Sequence, residues 1–143
     1  MLEPRLQAFL DYFNQISGQH TIAPTALYHK DVCFIDPVQQ IQGATALQVY
    51  LNHGYQRLNY ARFMPVSGSC SGDVGFLSWV MTYSHPAIAK GKEISVKGCS
   101  ELRWQGEQII YHRDYYDMTE MVYQQIPVLG WLTSQVKRKM AAG

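Results

Sequence analysis

Residues 93–117 read EISVKGCSELRWQGEQIIYHRDYYD, two runs of alternating side chains broken once, at Gln105-Gly106-Glu107. Glu93 to Trp104 and Ile109 to Asp117 each carry the period of two that marks a strand, and a short Gly-bearing turn between them makes them antiparallel neighbours. The same texture extends upstream. Arg62 to Cys70 and Gly75 to Ser84 form two more strands, with Ser71-Gly72-Asp73 and Lys90-Gly91-Lys92 as the intervening turns. Four consecutive strands joined in this way predict an antiparallel sheet.

Before Ala61 the period changes. Leu6, Phe9, Leu10, Phe13 and Ile16 recur at helical spacing between Pro4 and Gly18. A short second helix is predicted from Pro24 to His29, then a strand from Val32 to Asp36 with Val32, Phe34 and Asp36 on one face. Pro37 and Gly43 bracket a loop. Leu47, Leu51, Gly54, Tyr55 and Leu58 form the stripe of a third helix, for which Thr45 is the expected cap. Helices segregated from strands give an α+β class. The expected architecture is a set of N-terminal helices packed on a curved antiparallel sheet that encloses a pocket. Residues 1–118 form this domain and 119–143 a helical extension of it. There Thr119 to Gln125 is predicted helical, Pro127 interrupts, and VLGWLTSQVKRKM (128–140) resumes the helix. Val128, Leu132 and Val136 are spaced four apart beside Trp131, and Lys137, Arg138 and Lys139 follow.

Composition narrows the function. A chain of 143 residues suffices for one core. Its net charge of +1 gives no bulk attraction for nucleic acid. No apolar run has the length of a membrane span. The start, MLEPRLQAFL, has an acid and a proline where a signal peptide needs a basic stretch and an apolar run, so a cytoplasmic location is expected. Cys33, Cys70 and Cys99 lack any C-x-x-C pairing and read as reduced core thiols. No metal motif or glycine-rich phosphate loop occurs, so neither a metal nor a cofactor is expected.

The polar residues of the strands carry the chemistry. On the last strand Ile110, His112, Asp114 and Tyr116 share one face, and Ile109, Tyr111, Arg113, Tyr115 and Asp117 share the other. If this face and that of Asp36 are covered by helices, two carboxylates and an imidazole are buried, and burial in apolar surroundings raises a carboxyl's pKa and makes it a competent acid or base near neutrality. Each of these residues has a plainer role open to it. Asp36 before Pro37 suits a turn, His112 suits a satisfied core histidine, and Asp114 suits a surface ion pair.

The segment KDVCFIDPVQQIQGATALQVYL (30–51), together with the element order, resembles the NTF2-like superfamily, and within it the ketosteroid isomerases and SnoaL-like polyketide cyclases. The resemblance covers roughly residues 3 to 117 and implies a cone-shaped α+β fold. It puts Asp36, of D-P-V, in the position of the catalytic base and Tyr12, on the first helix, in that of the oxyanion-hole Tyr. Ser100 falls where the isomerases carry a protonated Asp donor, a chemistry the isomerases themselves exemplify. His112, Asp114 and Tyr116 fall on positions that are mostly apolar in the isomerases, a pattern that looks more like the cyclase and epoxide-hydrolase branches. The Arg-x-Asp pair of limonene-epoxide hydrolases is replaced by Gly98 and Ser100, which disfavours that mechanism.

The expected function is a cofactor-independent acid/base enzyme, of isomerase or cyclase type, acting on a small, mostly apolar carbonyl compound. Asp36, Asp114, Tyr12 and His112 are the expected catalytic residues, and Ser100, Tyr116 and Phe34 the substrate contacts. The alternative is a non-catalytic small-ligand-binding or accessory protein of the same superfamily. A homodimer is expected, because Tyr111, Tyr115 and the bulky face Leu77, Trp79, Met81 and Tyr83 exceed what three helices can cover. For the C-terminal stripe two roles stay open: packing on the domain or a partner, and a weak contact with a membrane surface.

Overall fold

The computed structural model describes residues 1–16, 26–122 and 125–142. Helix α1 (Pro4–Ile16) leads to strands β1 (Tyr28–Ile35) and β2 (Gln40–Gln42) and helix α2 (Ala44–Tyr55). The strands β3 (Tyr60–Ser71), β4 (Val74–Ser84), β5 (Ile94–Gln105) and β6 (Gln108–Tyr116) follow. Helices α3 (Met118–Met121) and α4 (Pro127–Ala141) close the chain. The six strands form one sheet in the order β2-β1-β6-β5-β4-β3. It is antiparallel as predicted from β3 to β6, but β1 joins β6 in parallel.

Alternation explains the layering. Leu77, Trp79, Met81 and Tyr83 of β4 and Ile94, Val96, Ser100, Leu102 and Trp104 of β5 are all buried on the concave face. Helix α1 covers that face with Leu6, Phe9, Leu10, Phe13 and Ile16, and α2 adds Leu47 and Leu51. Two side-chain bonds tie α1 to β3: Asn14 Nδ2 donates to the Phe63 carbonyl at 3.1 Å, and the Phe63 amide donates to Asn14 Oδ1 at 2.8 Å. Register shifts in β3 between Pro65 and Ser67, and in the β5–β6 ladder next to Trp104, add the local bend that wraps the sheet around a cavity.

Several expectations need correction. Of the predicted helix at 24–29, Pro24 and Thr25 lie outside the described residues, while Tyr28 and His29 open β1 instead. The cap of α2 is Gly43, not Thr45. The shift beside Trp104 breaks the parity of β6: Ile109, not Ile110, is fully buried with His112. The bulky face of β4 lines the interior, so it leaves no surplus for a partner; the exposed apolar residues of the outer face are Met64, Val66, Phe76 and Tyr115. All three cysteines are free, but each is only half-buried rather than in the core. Pro127 starts α4 rather than interrupting it. The stripe Val128, Leu132 and Val136, with Trp131, does not pack on the domain and is exposed along its length.

Candidate active site

The concave face and α1 and α2 enclose a cavity of about 290 Å³. Its wall is mostly aromatic and aliphatic: Phe9, Phe13, Phe34, Phe63, Trp79, Tyr83 and Tyr116 contribute rings, and Leu10, Leu51, Leu77 and Met81 fill between them. The only carboxylates on it are Asp36 and Asp114, and neither lysine nor arginine faces it among the described residues.

Strand register builds the polar end. Ser100 of β5 lies directly opposite Asp114 of β6, and Leu102 opposite His112. The Ser100 hydroxyl therefore donates to Asp114 Oδ1 at 2.6 Å. Trp79, one strand further, donates its indole N–H to Ser100 Oγ at 3.0 Å. From the other side His112 Nε2 lies 2.6 Å from the same Oδ1, and His112 Nδ1 lies 2.8 Å from the Tyr28 hydroxyl. One assignment satisfies every atom with neutral imidazole: Nε2–H donates to Asp114, and Nδ1 accepts from Tyr28. His112 is fully buried, in edge-on contact with Phe9, Phe13 and Phe34 and parallel to Tyr28, so its orientation is fixed. Both short bonds fall on Oδ1. Asp114 Oδ2 has no hydrogen-bond partner among the described residues, and its carboxyl belongs to the cavity wall.

Asp36 is held differently. Its Oδ1 accepts the amides of Val38 (2.8 Å) and Gln39 (3.0 Å), the turn role open to an Asp before Pro, while Oδ2 accepts the Tyr50 hydroxyl at 2.5 Å. Both oxygens are thus engaged by the chain. The phenols around the carboxylates stay protonated. Burial, then the hydrogen bond to Asp36, pushes Tyr50 above the ordinary phenol range, and burial, then Asp36 and Asp114, does the same to Tyr116.

The structure thus brings Phe34, Asp36, Ser100, Asp114 and Tyr116 to one cavity and sets His112 behind Asp114. It does not bring Tyr12 there. Tyr12 is buried against Phe13 and Tyr28, off the cavity wall, and burial pushes its phenol up to about 12. Sequence reasoning missed Tyr28, Tyr50 and Trp79. Tyr28 fell in the helix expected at 24–29, and the register shift between Tyr28 and Cys33, which leaves Lys30 exposed, keeps the face of Val32 and Phe34 from extending back to it by parity; Trp79 needed the register of β4 on β5. Among the described residues no cluster of three or more His, Cys, Asp or Glu could hold a metal. No helix among them is long and apolar enough to cross a membrane.

The same architecture occurs in solved structures. A protein of ketosteroid isomerase-like fold from Catenulispora acidiphila, in complex with trimethylamine, matches with a TM-score of 0.73 at 15% identity, over 87% of this chain and 93% of its own. A protein described as a SnoaL-like polyketide cyclase, from Jannaschia sp., matches with a TM-score of 0.73 at 13% identity, over 88% and 96%. TerC, co-crystallised with polyporic acid, matches with a TM-score of 0.65 at 14% identity, over 83% and 95%. At these identities the likeness shows the fold, which is the α+β cone expected from the resemblance. No curated protein matches the chain. Residues 6–112, from the first buried leucine of α1 to the histidine behind Asp114, match the SnoaL-like domain, and the chain belongs to that family.

Proposed function

We propose that the chain is a cofactor-independent acid/base enzyme, of the isomerase or cyclase type, acting on a small, mostly apolar carbonyl compound, with Asp114 as its base. The observation that carries this is the anchoring of Asp114: Oδ1 is fixed by Ser100 and His112, while Oδ2, without a hydrogen-bond partner among the described residues, belongs to a mostly apolar cavity wall. A carboxylate so oriented takes a proton from carbon next to a carbonyl with little reorganisation. Tyr116, protonated and on the same wall, donates to the developing enolate oxygen, a contact typically worth about 2.7–4 kcal/mol. His112 and Tyr28 hold the base in place, and Asp36 fixes Tyr50. Polyketide-cyclase descriptions among proteins of the same fold, and the co-crystallisation of TerC with polyporic acid, point the same way.

A second reading, a non-catalytic ligand binder, draws on the placement of Tyr12 off the wall and on the full engagement of Asp36. Binding of 2-naphthol, whose phenolate mimics an enolate, tests whether the enolate oxygen would lie near Asp114. Once the base has taken its proton it is neutral, so Asp114→Asn imitates that state and removes a repelling charge. The variant should bind 2-naphthol at least about tenfold tighter, roughly 1.4 kcal/mol, a modest part of the ~4 kcal/mol between unit charges 4 Å apart near a protein surface. Equal or weaker binding would remove Asp114 from the bound anion's side; tighter binding puts the anion beside it, and proton exchange next to a carbonyl, lost in Asp114→Asn, then tells the enzyme from the passive binder.

A further inference from the structure

Helix α4 is amphipathic in the reverse sense to a packed helix. Its least exposed side carries Gly130, Thr133 and Ser134, and Lys137 on the same side reaches Asp117 at 3.5 Å. Its outward side carries Val128, Leu129, Trp131, Leu132, Val136 and Met140, with Val128 70% and Trp131 62% exposed. A contiguous exposed apolar stripe of this kind marks an interaction surface.

We infer that the outward face of α4 docks on an anionic phospholipid surface. Charge decides the occupant. Residues 127–141 contain Lys137, Arg138 and Lys139 and no acidic residue. Lys137 is committed to Asp117, whereas Arg138 and Lys139 are exposed at the end of the apolar stripe. Two copies of α4 packed in parallel would bring their cations together, and packed antiparallel would set them against the partner helix's positive N-terminal end, with no carboxylate on either helix to receive them. Anionic headgroups supply that charge, and an exposed Trp above aliphatic side chains suits the headgroup boundary. Continuity gives the contact a use. Met121 and Val122 line the cavity, and α4 begins at Pro127, so docking sets that side of the cavity near the lipid from which an apolar ligand would come. With Arg138 and Lys139 outside any ion pair among the described residues, and each worth about fivefold in affinity, the attachment is weak and salt-sensitive.

The test is co-sedimentation of the full chain with phosphatidylcholine vesicles, with and without about a quarter phosphatidylglycerol. The expected result is binding to the anionic vesicles at low salt, at least tenfold weaker on neutral vesicles or at high salt. Arg138→Gln with Lys139→Gln should lower it about 25-fold, and Trp131→Ser with Leu132→Ser should abolish it. These positions are exposed, so the variants should keep the wild-type circular dichroism spectrum. The proposal falls if neither vesicle is bound, if both are bound equally, or if the Trp131→Ser, Leu132→Ser variant still binds. It also falls if, without vesicles, that variant dissociates a dimer, which would make the face a contact between copies.

Discussion

Gly98 sits in β5 opposite Trp79 on one side and Tyr116 on the other. A Cβ placed there would lie 2.2 Å from Trp79 Cη2 and 2.5 Å from Cζ3, whereas ordinary contact begins at 3.4 Å. Gly98→Ala therefore drives the indole back by about 1 Å, into Phe63 on one side or into the cavity on the other. Three effects compete. Overpacking costs about 1–3 kcal/mol. The strained Trp79–Ser100 hydrogen bond adds about 1 kcal/mol. Replacing Gly in a strand returns about 0.5–1 kcal/mol. The net is a loss of about 2 kcal/mol, or a fall in Tm of roughly 6 °C for a domain of this size. Thermal unfolding followed by circular dichroism measures it, and tryptophan emission reports the displaced ring. An unchanged or higher Tm with unchanged emission would refute the account of Gly98 as the space that Trp79 occupies.

His112→Phe keeps the aromatic packing but strips the Tyr28 hydroxyl and Asp114 Oδ1 of a partner, so the urea midpoint should fall by the equivalent of about 2–4 kcal/mol; an unchanged midpoint would show those bonds to be idle. The Tyr12 phenol, raised by burial to about 12 from 10.0, favours folding while protonated. Its contribution, about 2–3 kcal/mol, is complete below pH 10 and is lost as pH rises from 10 to 12. The Tyr12 share of the tyrosinate absorbance near 295 nm, read as the difference between wild type and Tyr12→Phe, should therefore appear in step with unfolding; its appearance near pH 10 in the folded state would contradict it. A homodimer through the outer sheet face, where Met64, Val66 and Phe76 are exposed, should appear in sedimentation at micromolar concentration and be lost in Phe76→Asp; a wild-type monomer would contradict it.

Alternation made the sheet legible. β4 and β5 keep an unbroken period of two, so alternation separates their two faces, but it does not say which face of β4 looks inward: Leu77, Trp79, Met81 and Tyr83, expected as surplus for a partner, line the interior. Where a bulge intervenes, as between His112 and Ile109, one extra residue inverts the parity with no mark in the sequence. Asp114, His112 and Tyr116 were found because they lie on the unbroken part of β6. Their partners Ser100 and Trp79 depend on register, a property of the pairing and not of either strand. The parallel placement of β1 beside β6 is equally non-local, since the whole of the intervening chain separates them. Tyr12 shows the converse: a position on a helix carried over from a family pattern did not bring its ring to the cavity. In α4 the spacing revealed an apolar face but held no information on whether the domain covers it.

Deuterium exchange tests the base most directly. Small apolar ketones that bind the protein are incubated with it in D2O, and label at the carbon next to the carbonyl is followed by NMR for the wild type, Asp114→Asn and Asp36→Asn. With Asp114 as base, the wild type exchanges the label, Asp114→Asn loses at least about a hundredfold in rate, and Asp36→Asn, whose carboxylate is already engaged by the turn and Tyr50, loses far less. Exchange that survives in Asp114→Asn, or that is absent from the wild type with every bound ketone, would contradict an acid/base role for this cavity.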